Sequence, residues 1–373
     1  MATNTELNNK PVKLEYIWLD HFGEIRSKTK IYTEAFVGPE DLPVWDTINF
    51  HSPDQGLGIE FMVLLKPVAI YPDPFRGGNH QIVLTEVLNL DNTPHYSNHR
   101  ALAVEVEEKA KDHEPQFGIE QEYMIFSTTV ATREGTQNKK TFIEKKRVPY
   151  GWAGHDDPRE DEQTRIYISY LSVGKGILYG RDLAEEHLDH CLHAGLKIHG
   201  INAEANPSQW EYQIGVCGPV EMADHLTVSR YILHRLSEKY NASISLQPKP
   251  YKGDHYFGSG LHTNFSTKKM REGADGKKGI QFVEEACEKL CDPELHQKHM
   301  DVYGDNKERL DGTGLVVGSK DKCTWGKADK KTSLNITVPT IVKEKGYFED
   351  RRPASNADPY RIAARMVQSV CLE

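Results

Sequence analysis

The 373-residue sequence lacks several features that mark specialised classes of protein. It has no apolar run close to the roughly 18 residues that span a bilayer. Its opening has neither the basic start nor the apolar stretch of a signal peptide. Basic residues do not predominate, because 46 Lys and Arg stand against 55 Asp and Glu, for a net charge of −9. We therefore expect a cytoplasmic protein whose partners include neither membranes nor nucleic acid.

Cysteine motifs are also missing. The six cysteines show no C-x-x-C spacing, so we expect free thiols in a reducing compartment. His187, His190 and Cys191 lie at i, i+3 and i+4 of a predicted helix, and a metal-binding trio can be imagined there. No carboxylate or second cluster completes the set, so a partly exposed polar helix face is the favoured interpretation.

The composition, 38% hydrophobic and 27% charged, is that of an ordinary globular protein, and the length predicts two or three domains. Strand-like runs separated by Pro, Gly and Asn fill the first hundred residues, followed by a predicted helix within 97–113. Beyond residue 112, strands alternate with helices predicted at 181–194, 219–239, 280–290 and 359–372. The polar stretch 132–161 is expected to be an exposed excursion.

The stretch "FGIEQEYMIF" (117–126) has the pattern of a buried strand that carries two acids on one face. Residues two apart in a strand point the same way, so Glu120 and Glu122 share a side while Ile119, Tyr123 and Ile125 face the other. Two buried carboxylates repel each other. A cation, a proton or a basic partner is therefore expected beside them.

Other potential ligands occur on other predicted strands. Glu204 and Glu211 flank an Asn-Pro turn, so a hairpin would bring them to one end of a sheet. His262 lies among small residues in "GSGLHTNFST", and "GYFEDRRP" puts Glu349 on the same face as Arg351. Five acids and one His suit hard cations such as Mg²⁺ or Mn²⁺ and suffice for two ions.

Four motifs occur together in a fixed order: "FGIEQEY", "NAE" with "QWEYQIG", "HTNFST" and "KGYFEDRRPASNADPYRI". With them the sequence resembles the glutamine synthetases, specifically the shorter eukaryotic type. The resemblance extends from "YIWLD" to the end of the chain and includes "DPFRGGN", "YGRD" and "DHLTVSRYILHRLSEKY".

The resemblance implies an α+β fold. A β-grasp domain at 1–108 would precede a catalytic domain at 109–373, built of curved antiparallel strands backed by helices. It also implies self-association into stacked rings, a decamer, with active sites between neighbouring subunits. The family reaction uses ATP to phosphorylate the side-chain carboxylate of glutamate, after which ammonia displaces phosphate.

The family's site residues can be placed at matching positions. Glu122, Glu204 and Glu211 would hold one metal ion, and Glu120, His262 and Glu349 the other. Arg309 matches the arginine that binds the amino-acid carboxylate, and Arg351 matches one near the reacting group. The resemblance also places Lys330, Asn335 and Tyr347 at the nucleotide, with Lys330 as a further catalytic cation.

Departures from the family pattern fall on the chemistry. Where the family has an ammonium-binding Asp, "INFHSPD" offers Asn49, and an amide cannot act as a base. The flap glutamate is replaced by an apolar residue near Leu315, so Asn49 and Leu315 would line an altered substrate site. Of the two arginines that meet phosphate in the family, Lys330 can replace one as a point charge, but Asn335 cannot replace the other. The segment 254–259 also differs.

Three functions are compatible with these features. The first is an ATP-dependent ligase that joins a glutamate-like carboxylate to an amine other than ammonia, which makes ordinary glutamine synthesis doubtful. The second is a metal-dependent enzyme that has abandoned ATP and carries out hydrolysis or another conversion of an amino-acid-like substrate. The third is a non-catalytic assembly that binds a metabolite.

Overall fold

The computed structural model describes residues 11–49, 61–134, 141–151, 169–174, 177–250, 257–310 and 318–373, and side chains outside 128–148. Within these residues the chain forms two β-sheets and a set of helices. No helix in the described part is long and apolar enough to cross a membrane.

The first sheet contains five strands from the N-terminal part of the chain. In sequence order they are β1 (Val12–Leu19), β2 (Ile25–Tyr32), β3 (Trp45–Ile48), β4 (Met62–Pro72) and β5 (Gln81–Leu88). Their order is β2-β1-β5-β4-β3, with β1 parallel to β5 and the other neighbours antiparallel. Leu14, Tyr16 and Trp18 alternate along β1 into a small core of this sheet. This arrangement is consistent with the expected β-grasp domain, while the boundary at residues 108 and 109 stays a prediction.

The second sheet carries the acids identified from the sequence. Its strands are β6 (Gln116–Glu134), β7 (Thr141–Pro149), β8 (Ile198–Ala203), β9 (Gln209–Cys217), β10 (Ala242–Ser245), β11 (Leu261–Ser266), β12 (Trp325–Lys327), β13 (Leu334–Ile336) and β14 (Phe348–Asp350). The order is β12-β13-β14-β11-β6-β9-β8, and β7 and β10 also pair with β6. Except for the parallel pair β12 and β13, the strands are antiparallel. The long strand β6 therefore lies at the centre of the sheet.

Helices cover the other side of this sheet. They are α1 (His99–Lys109), α2 (Arg181–His193), α3 (Pro219–Lys239), α4 (Lys268–Glu272), α5 (Gly279–Leu290), α6 (Pro293–Met300), α7 (Val338–Lys343) and α8 (Pro359–Val367), which continues as a π-helical turn at Gln368–Leu372. The helices predicted from the sequence are thus confirmed. Pro219 at the first position of α3 and the Asp358 side chain, which accepts N–H bonds at the start of α8, explain two of the helix starts.

The two faces of β6 differ as the alternation predicts. Ile119, Tyr123 and Ile125 are buried in the main core with α2, α3 and α8. Met124 and Phe126 point to the opposite face of the strand, where they form a separate small hydrophobic cluster. The main core therefore fixes which residues of β6 face the site.

One expectation from the sequence, that all the cysteines are free thiols, was wrong for two of them. The expected exposed excursion is described only in part: residues 132–134 and 141–149 extend β6 and form β7, which pair antiparallel from Glu134 with Thr141 onward, and its exposure stays a prediction. A two-stranded extension needs few apolar anchors because backbone hydrogen bonds hold it together. In addition, Cys291 and Cys323 form a disulfide, with Cα atoms 4.9 Å apart, so these two thiols are not free. Residues 32 apart in sequence give no local signal of such pairing.

The imagined metal trio on α2 is explained by ordinary packing. His187 is buried and its Nε2 lies 3.1 Å from the carbonyl oxygen of Ser229 on α3. Cys191 Sγ lies 3.3 Å from the same nitrogen. Among the described residues, the groups able to hold a metal do not include His187, His190 or Cys191. The interpretation as a structural helix face is therefore retained.

An ion pair joins the helices that lie between the two sheets. Arg100 on α1 donates to Asp224 on α3 through Nε at 2.9 Å and Nη2 at 3.0 Å, and the Tyr360 hydroxyl on α8 donates to the same carboxylate at 2.7 Å. Asp224 is buried. Removing Arg100 would leave an uncompensated buried charge.

We expect Arg100→Ala to lower the free energy of unfolding by about 3 kcal/mol, measured by denaturant titration. The matched control is Lys109→Ala, which removes the cation of an exposed pair with Glu105 on the same helix. That change should cost about 0.5 kcal/mol or less. Equal losses in the two variants would contradict a structural role for the buried pair.

Candidate active site

Polar side chains form rows across adjacent strands of the second sheet. Asn202, Glu211 and Glu122 lie directly opposite one another on β8, β9 and β6. The next row contains Gln213, Glu120 and His262 on β9, β6 and β11. A third row contains Asn264, Glu349 and Asn335 on β11, β14 and β13. Paired residues share a face of a sheet, so strands far apart in sequence bring these groups together.

His262 occupies the centre of this arrangement. Its Nδ1 lies 3.5 Å from Glu120 Oε2 and 3.6 Å from Glu349 Oε1, and its Nε2 lies 3.7 Å from Glu122 Oε1. Two groups of potential ligand atoms therefore meet at this ring: Glu120, His262 and Glu349, and Glu122, Glu211 and His262. Within each group the atoms are within 4.8 Å of one another.

Burial and the closeness of the carboxylates shift the pKa values of the groups in this cluster. Burial, together with the charge of Glu122, raises the pKa of Glu204 to about 8. Burial and the neighbouring carboxylates raise the pKa of Glu211, and burial raises that of Glu120. Burial and Arg351 lower the pKa of His262 to about 4, so the imidazole is neutral near pH 7. The protein's own cations therefore leave this negative charge only partly offset.

Amide groups lie behind the acids. Asn264 donates to Glu120 at 2.8 Å, Gln209 to Glu122 at 3.2 Å, and Asn335 to Glu349 at 2.9 Å. Asn202 donates to Glu204 at 2.9 Å, and Gln213 donates to Glu211. Every acid of the predicted metal set accepts a hydrogen bond from a side-chain amide.

Glu204 lies beside the two tight groups. It directly follows β8, and its backbone N–H donates to the Gln209 carbonyl at 2.8 Å, which closes the turn through Asn206. The predicted hairpin is thus confirmed. Glu204 is outside both groups of atoms within 4.8 Å, although the charge of Glu122 affects its pKa.

Arg309 reaches the cluster from the loop after α6. It is buried, and its guanidinium donates to Asn306 Oδ1 and to the carbonyls of Arg351 and Arg352; in the part of the chain that the structure describes, no carboxylate is among its partners. Burial lowers its pKa to about 10, so it remains charged at neutral pH. A buried guanidinium held by neutral acceptors is suited to an anionic ligand.

Glycines allow Arg309 and His262 to approach the backbone. A Cβ on Gly260 would lie 2.6 Å from Arg309 Nη2 and 2.7 Å from His262 Nε2. A Cβ on Gly258 would lie 2.8 Å from Arg309 Cγ. In addition, the Gly260 N–H donates to Glu122 Oε2 at 3.0 Å. Both positions therefore require glycine.

The predicted nucleotide and reacting-group residues lie at the edge of the cluster. Arg351 donates to Glu349 Oε1 at 2.6 Å. Exposed Lys330 is close enough to Glu120 to lower its pKa, against the larger effect of burial. Tyr347, with Glu120 and Asn264, lines a cavity of about 330 Å³. These side chains give the cavity a polar end at the acids.

Two of the predicted substrate residues, Asn49 and Leu315, are not among the described residues of this cluster. Asn49 follows β3 in the first sheet; its side chain is buried, and neither amide atom has a hydrogen-bond partner among the described residues. Leu315 lies outside the described residues, as do parts of the segments 48–54 and 254–259.

A larger cavity, of about 760 Å³, lies elsewhere. It is bounded by the turn between β1 and β2, by α3 and by the start of α8, and it contains none of the predicted metal ligands. Size alone therefore does not identify the site, since Glu120 of the acidic cluster lines the smaller cavity.

Four of the amide donors, Asn202, Gln209, Gln213 and Asn264, were missed from the sequence, while Asn335 was predicted as a site residue but for the nucleotide rather than for Glu349. The signal that could have found several of them is the two-residue period of a strand. Asn202 and Glu204, Glu211 and Gln213, and His262 and Asn264 are each two residues apart. The pairing of Asn335 with Glu349 has no such signal, because it depends on the register between β13 and β14.

Comparison with known proteins shows the family of this chain. Residues 97–278 match the family described as glutamine synthetase, catalytic domain. The glutamine synthetase of Tuber borchii is 43% identical over 360 residues, 96% of this chain and 91% of that protein. The one of Neurospora crassa is 42% identical over 95% of this chain and 90% of its own length. This chain belongs to the glutamine synthetase family.

A solved structure agrees on the fold. The cryo-EM structure of Plasmodium falciparum glutamine synthetase superimposes with a TM-score of 0.73 over 99% of this chain and 75% of that chain, at 14% identity. The predicted α+β fold of the glutamine synthetase family is therefore confirmed. Its members are ATP-dependent ligases that use divalent metal ions, and the crowded carboxylates with one neutral imidazole are a donor set that fits hard cations.

We expect Gly260→Ala to weaken Mn²⁺ binding at least about tenfold, because the new methyl group displaces His262 and Arg309. Binding is measured by calorimetric titration of Mn²⁺. Gly118→Ala is the control, since a Cβ there would meet Asn264 Cβ at an ordinary 3.6 Å. Unchanged affinity in Gly260→Ala would mean that the ring has room to move.

Proposed function

We propose that this protein is an ATP-dependent carboxylate-amine ligase that acts on glutamate or a glutamate-like acid. Two ions, Mg²⁺ or Mn²⁺, would be held by Glu122, Glu204 and Glu211 and by Glu120, His262 and Glu349. The preferred nucleophile is an amine other than ammonia.

One observation carries the proposal. A buried guanidinium, that of Arg309, pairs with no carboxylate among the described residues and lies beside a cluster of acids arranged around His262, with Arg309 Nη2 3.5 Å from His262 Nε2. A fixed positive charge next to a site for divalent cations suits a substrate with a carboxylate at one end and a reacting carboxylate at the other.

The chain's own residues can be assigned parts in this reaction. Arg309 binds the α-carboxylate of the amino acid, and Arg351, held by Glu349, lies near the side-chain carboxylate and the phosphoryl group. ATP occupies the cavity lined by Tyr347 and Asn264, and Lys330 adds positive charge at its phosphates. When bound, the metal ions neutralise charge that develops on the transferring phosphoryl group.

The reaction then has two steps. The side-chain carboxylate attacks the γ-phosphorus of ATP, which forms an acyl phosphate and releases ADP. The amine nitrogen attacks the acyl carbon, phosphate leaves, and the nitrogen loses a proton to give an amide. A carboxylate oxygen is a poor leaving group until it is phosphorylated, which is why the first step is needed.

The choice of amine follows from Asn49 and Leu315. An amide at Asn49 carries no charge to attract ammonium and cannot take its proton. An apolar residue near 315 favours contact with carbon rather than with a cation. Both substitutions favour a neutral or larger amine.

We expect phosphate release from ATP in the presence of glutamate and Mg²⁺ to be stimulated more by at least one organic amine than by ammonia. Phosphate release across an amine panel, with the product identified by mass spectrometry, is the measurement. Asn49→Asp should raise the rate with ammonia about tenfold or more relative to organic amines, since a carboxylate binds ammonium and accepts its proton.

Two results would count against this proposal. If ammonia is the best nucleophile of the parent protein, the enzyme performs ordinary glutamine synthesis. If no amine stimulates phosphate release although Mn²⁺ binds, the second candidate function gains support, namely a metal-dependent conversion of an amino-acid-like substrate without ATP. The observation that favours this second function is that Asn335 offers no positive charge for phosphate and donates to Glu349 instead.

We further propose that the chain assembles into stacked rings, a decamer, in which Asn49 of one subunit approaches the cluster of its neighbour. The resemblance to the glutamine synthetase family, which implies active sites between neighbouring subunits, is what supports this arrangement, since the Asn49 side chain is itself buried within its own chain. Light scattering of the purified protein should give a mass close to ten times 42.4 kDa. A monomer at micromolar concentration would contradict it.

A further inference from the structure

We propose that side-chain amides act as positioning residues for the proposed metal ligands. Each amide N–H holds one oxygen of one acid, so that the remaining oxygen is directed to the ion. The residues are Asn202, Gln209, Gln213, Asn264 and Asn335. The inference rests on the metal-binding part of the proposed function and does not depend on ATP or on the amine.

The oxygen atoms around His262 divide in a consistent way. Glu120 receives Asn264 on Oε1 and turns Oε2 to the ring. Glu349 receives Asn335 on Oε2 and turns Oε1 to the ring.

Glu122 follows the same rule. Its Oε2 accepts from Gln209 and from the Gly260 N–H, while its Oε1 faces Nε2 of the ring. In these three acids, one oxygen is held by an amide and the other faces His262; in Glu349 that second oxygen also accepts from Arg351 at 2.6 Å.

The remaining two acids share a connected pair of amides. Gln213 donates to Glu211 and also to Asn202 Oδ1 at 2.7 Å, and Asn202 donates to Glu204 at 2.9 Å. The chain Glu211, Gln213, Asn202 and Glu204 links the two acids across β8 and β9. Glu211 and Glu204 are therefore connected by hydrogen bonds through two neutral side chains.

Amides are suited to this task for a chemical reason. A carboxylate can only accept hydrogen bonds, so the group behind it must donate. A lysine or arginine would donate but would also cancel the negative charge that attracts a divalent ion. An amide donates without a full charge and does not titrate, so it holds an acid in place without forming an ion pair that would compete with the ion.

The Asn335 amide is oriented so that its N–H group bonds to the acid, although its carbonyl oxygen is then left without a partner among the described residues. Its side chain is 4% exposed, its Nδ2 donates to Glu349, and its Oδ1 has no hydrogen-bond partner among the described residues. Leaving a buried carbonyl unpaired is unfavourable. The orientation is nevertheless set by Glu349, which cannot donate to an amide oxygen. Asn335 therefore has a proposed role in holding Glu349. This role is distinct from nucleotide binding by Asn335, which stays a prediction.

The test is Mn²⁺ binding to the full-length protein without nucleotide, followed by the electron paramagnetic resonance signal of free Mn²⁺. Asn335→Leu and Gln213→Met keep the side-chain shape and remove the donor. We expect Asn335→Leu to weaken one ion about tenfold or more and to leave the other within about twofold of the parent. Gln213→Met should weaken the other ion, because its partner Glu211 belongs to the second group of ligands.

The control removes an amide donor to a carboxylate outside the site. Asn98 donates to Glu86 at 3.3 Å and caps α1, so Asn98→Leu should lower the melting temperature without changing either ion. If Asn335→Leu does not fold, Asn264→Leu gives the same comparison through Glu120, at a partly exposed position.

The outcomes separate clearly. Loss of affinity confined to one ion in each variant supports the inference, since a general loss of stability would weaken both. The inference would be overturned if both Asn335→Leu and Gln213→Met bound Mn²⁺ within twofold of the parent affinity. It would also be overturned if each variant weakened both ions equally, or if the parent protein bound no Mn²⁺. Failure of ATP-dependent phosphate release with Mn²⁺ binding intact would overturn the ligase proposal alone.

Discussion

The repulsion between carboxylates crowded around one neutral imidazole is the constraint on which the rest of this structure depends. Like charges at this separation in a buried setting raise each other's pKa, as at Glu204 and Glu211. The fold does not relieve the repulsion by pairing every acid with a cation. It uses a rigid sheet, neutral amide donors and a few cations, of which Arg351 pairs with Glu349 and Arg309 lies 3.5 Å from His262.

The apolar side of the sheet makes this crowding tolerable. Ile119, Tyr123 and Ile125 on β6 are buried against helices, so a slip of one residue would bring the acids into the core and the apolar residues into the site. Burial of the three side chains contributes about 1.5 to 3 kcal/mol each, against a repulsion that acts on the same strand. The hydrophobic core thus determines the register, and the register determines the distances between acids.

Local pattern and family motifs predicted much of this arrangement. The two-residue period placed Glu120 and Glu122 together, the Asn206 turn placed Glu204 and Glu211 in a hairpin, and helix signals placed α3 correctly. Contacts set by long-range pairing were not predicted. The bond from Asn335 to Glu349 depends on strand register, and the disulfide of Cys291 depends on a loop that returns to α5. Such contacts carry no local periodicity.

Asn335 illustrates how one substitution can act on two properties at once. In the family pattern this position carries an arginine for phosphate, and by that comparison the asparagine is only a loss of positive charge. In the fold, the same side chain donates to Glu349 Oε2 without adding a charge, while Arg351 pairs with Oε1 of that acid at 2.6 Å. Under the proposed function, an asparagine at this position gives less positive charge near phosphate than an arginine would, which shifts the electrostatic balance from the protein's cations toward the metal. Lys330 and Arg351 would then supply the positive charge that the protein itself contributes at the phosphates.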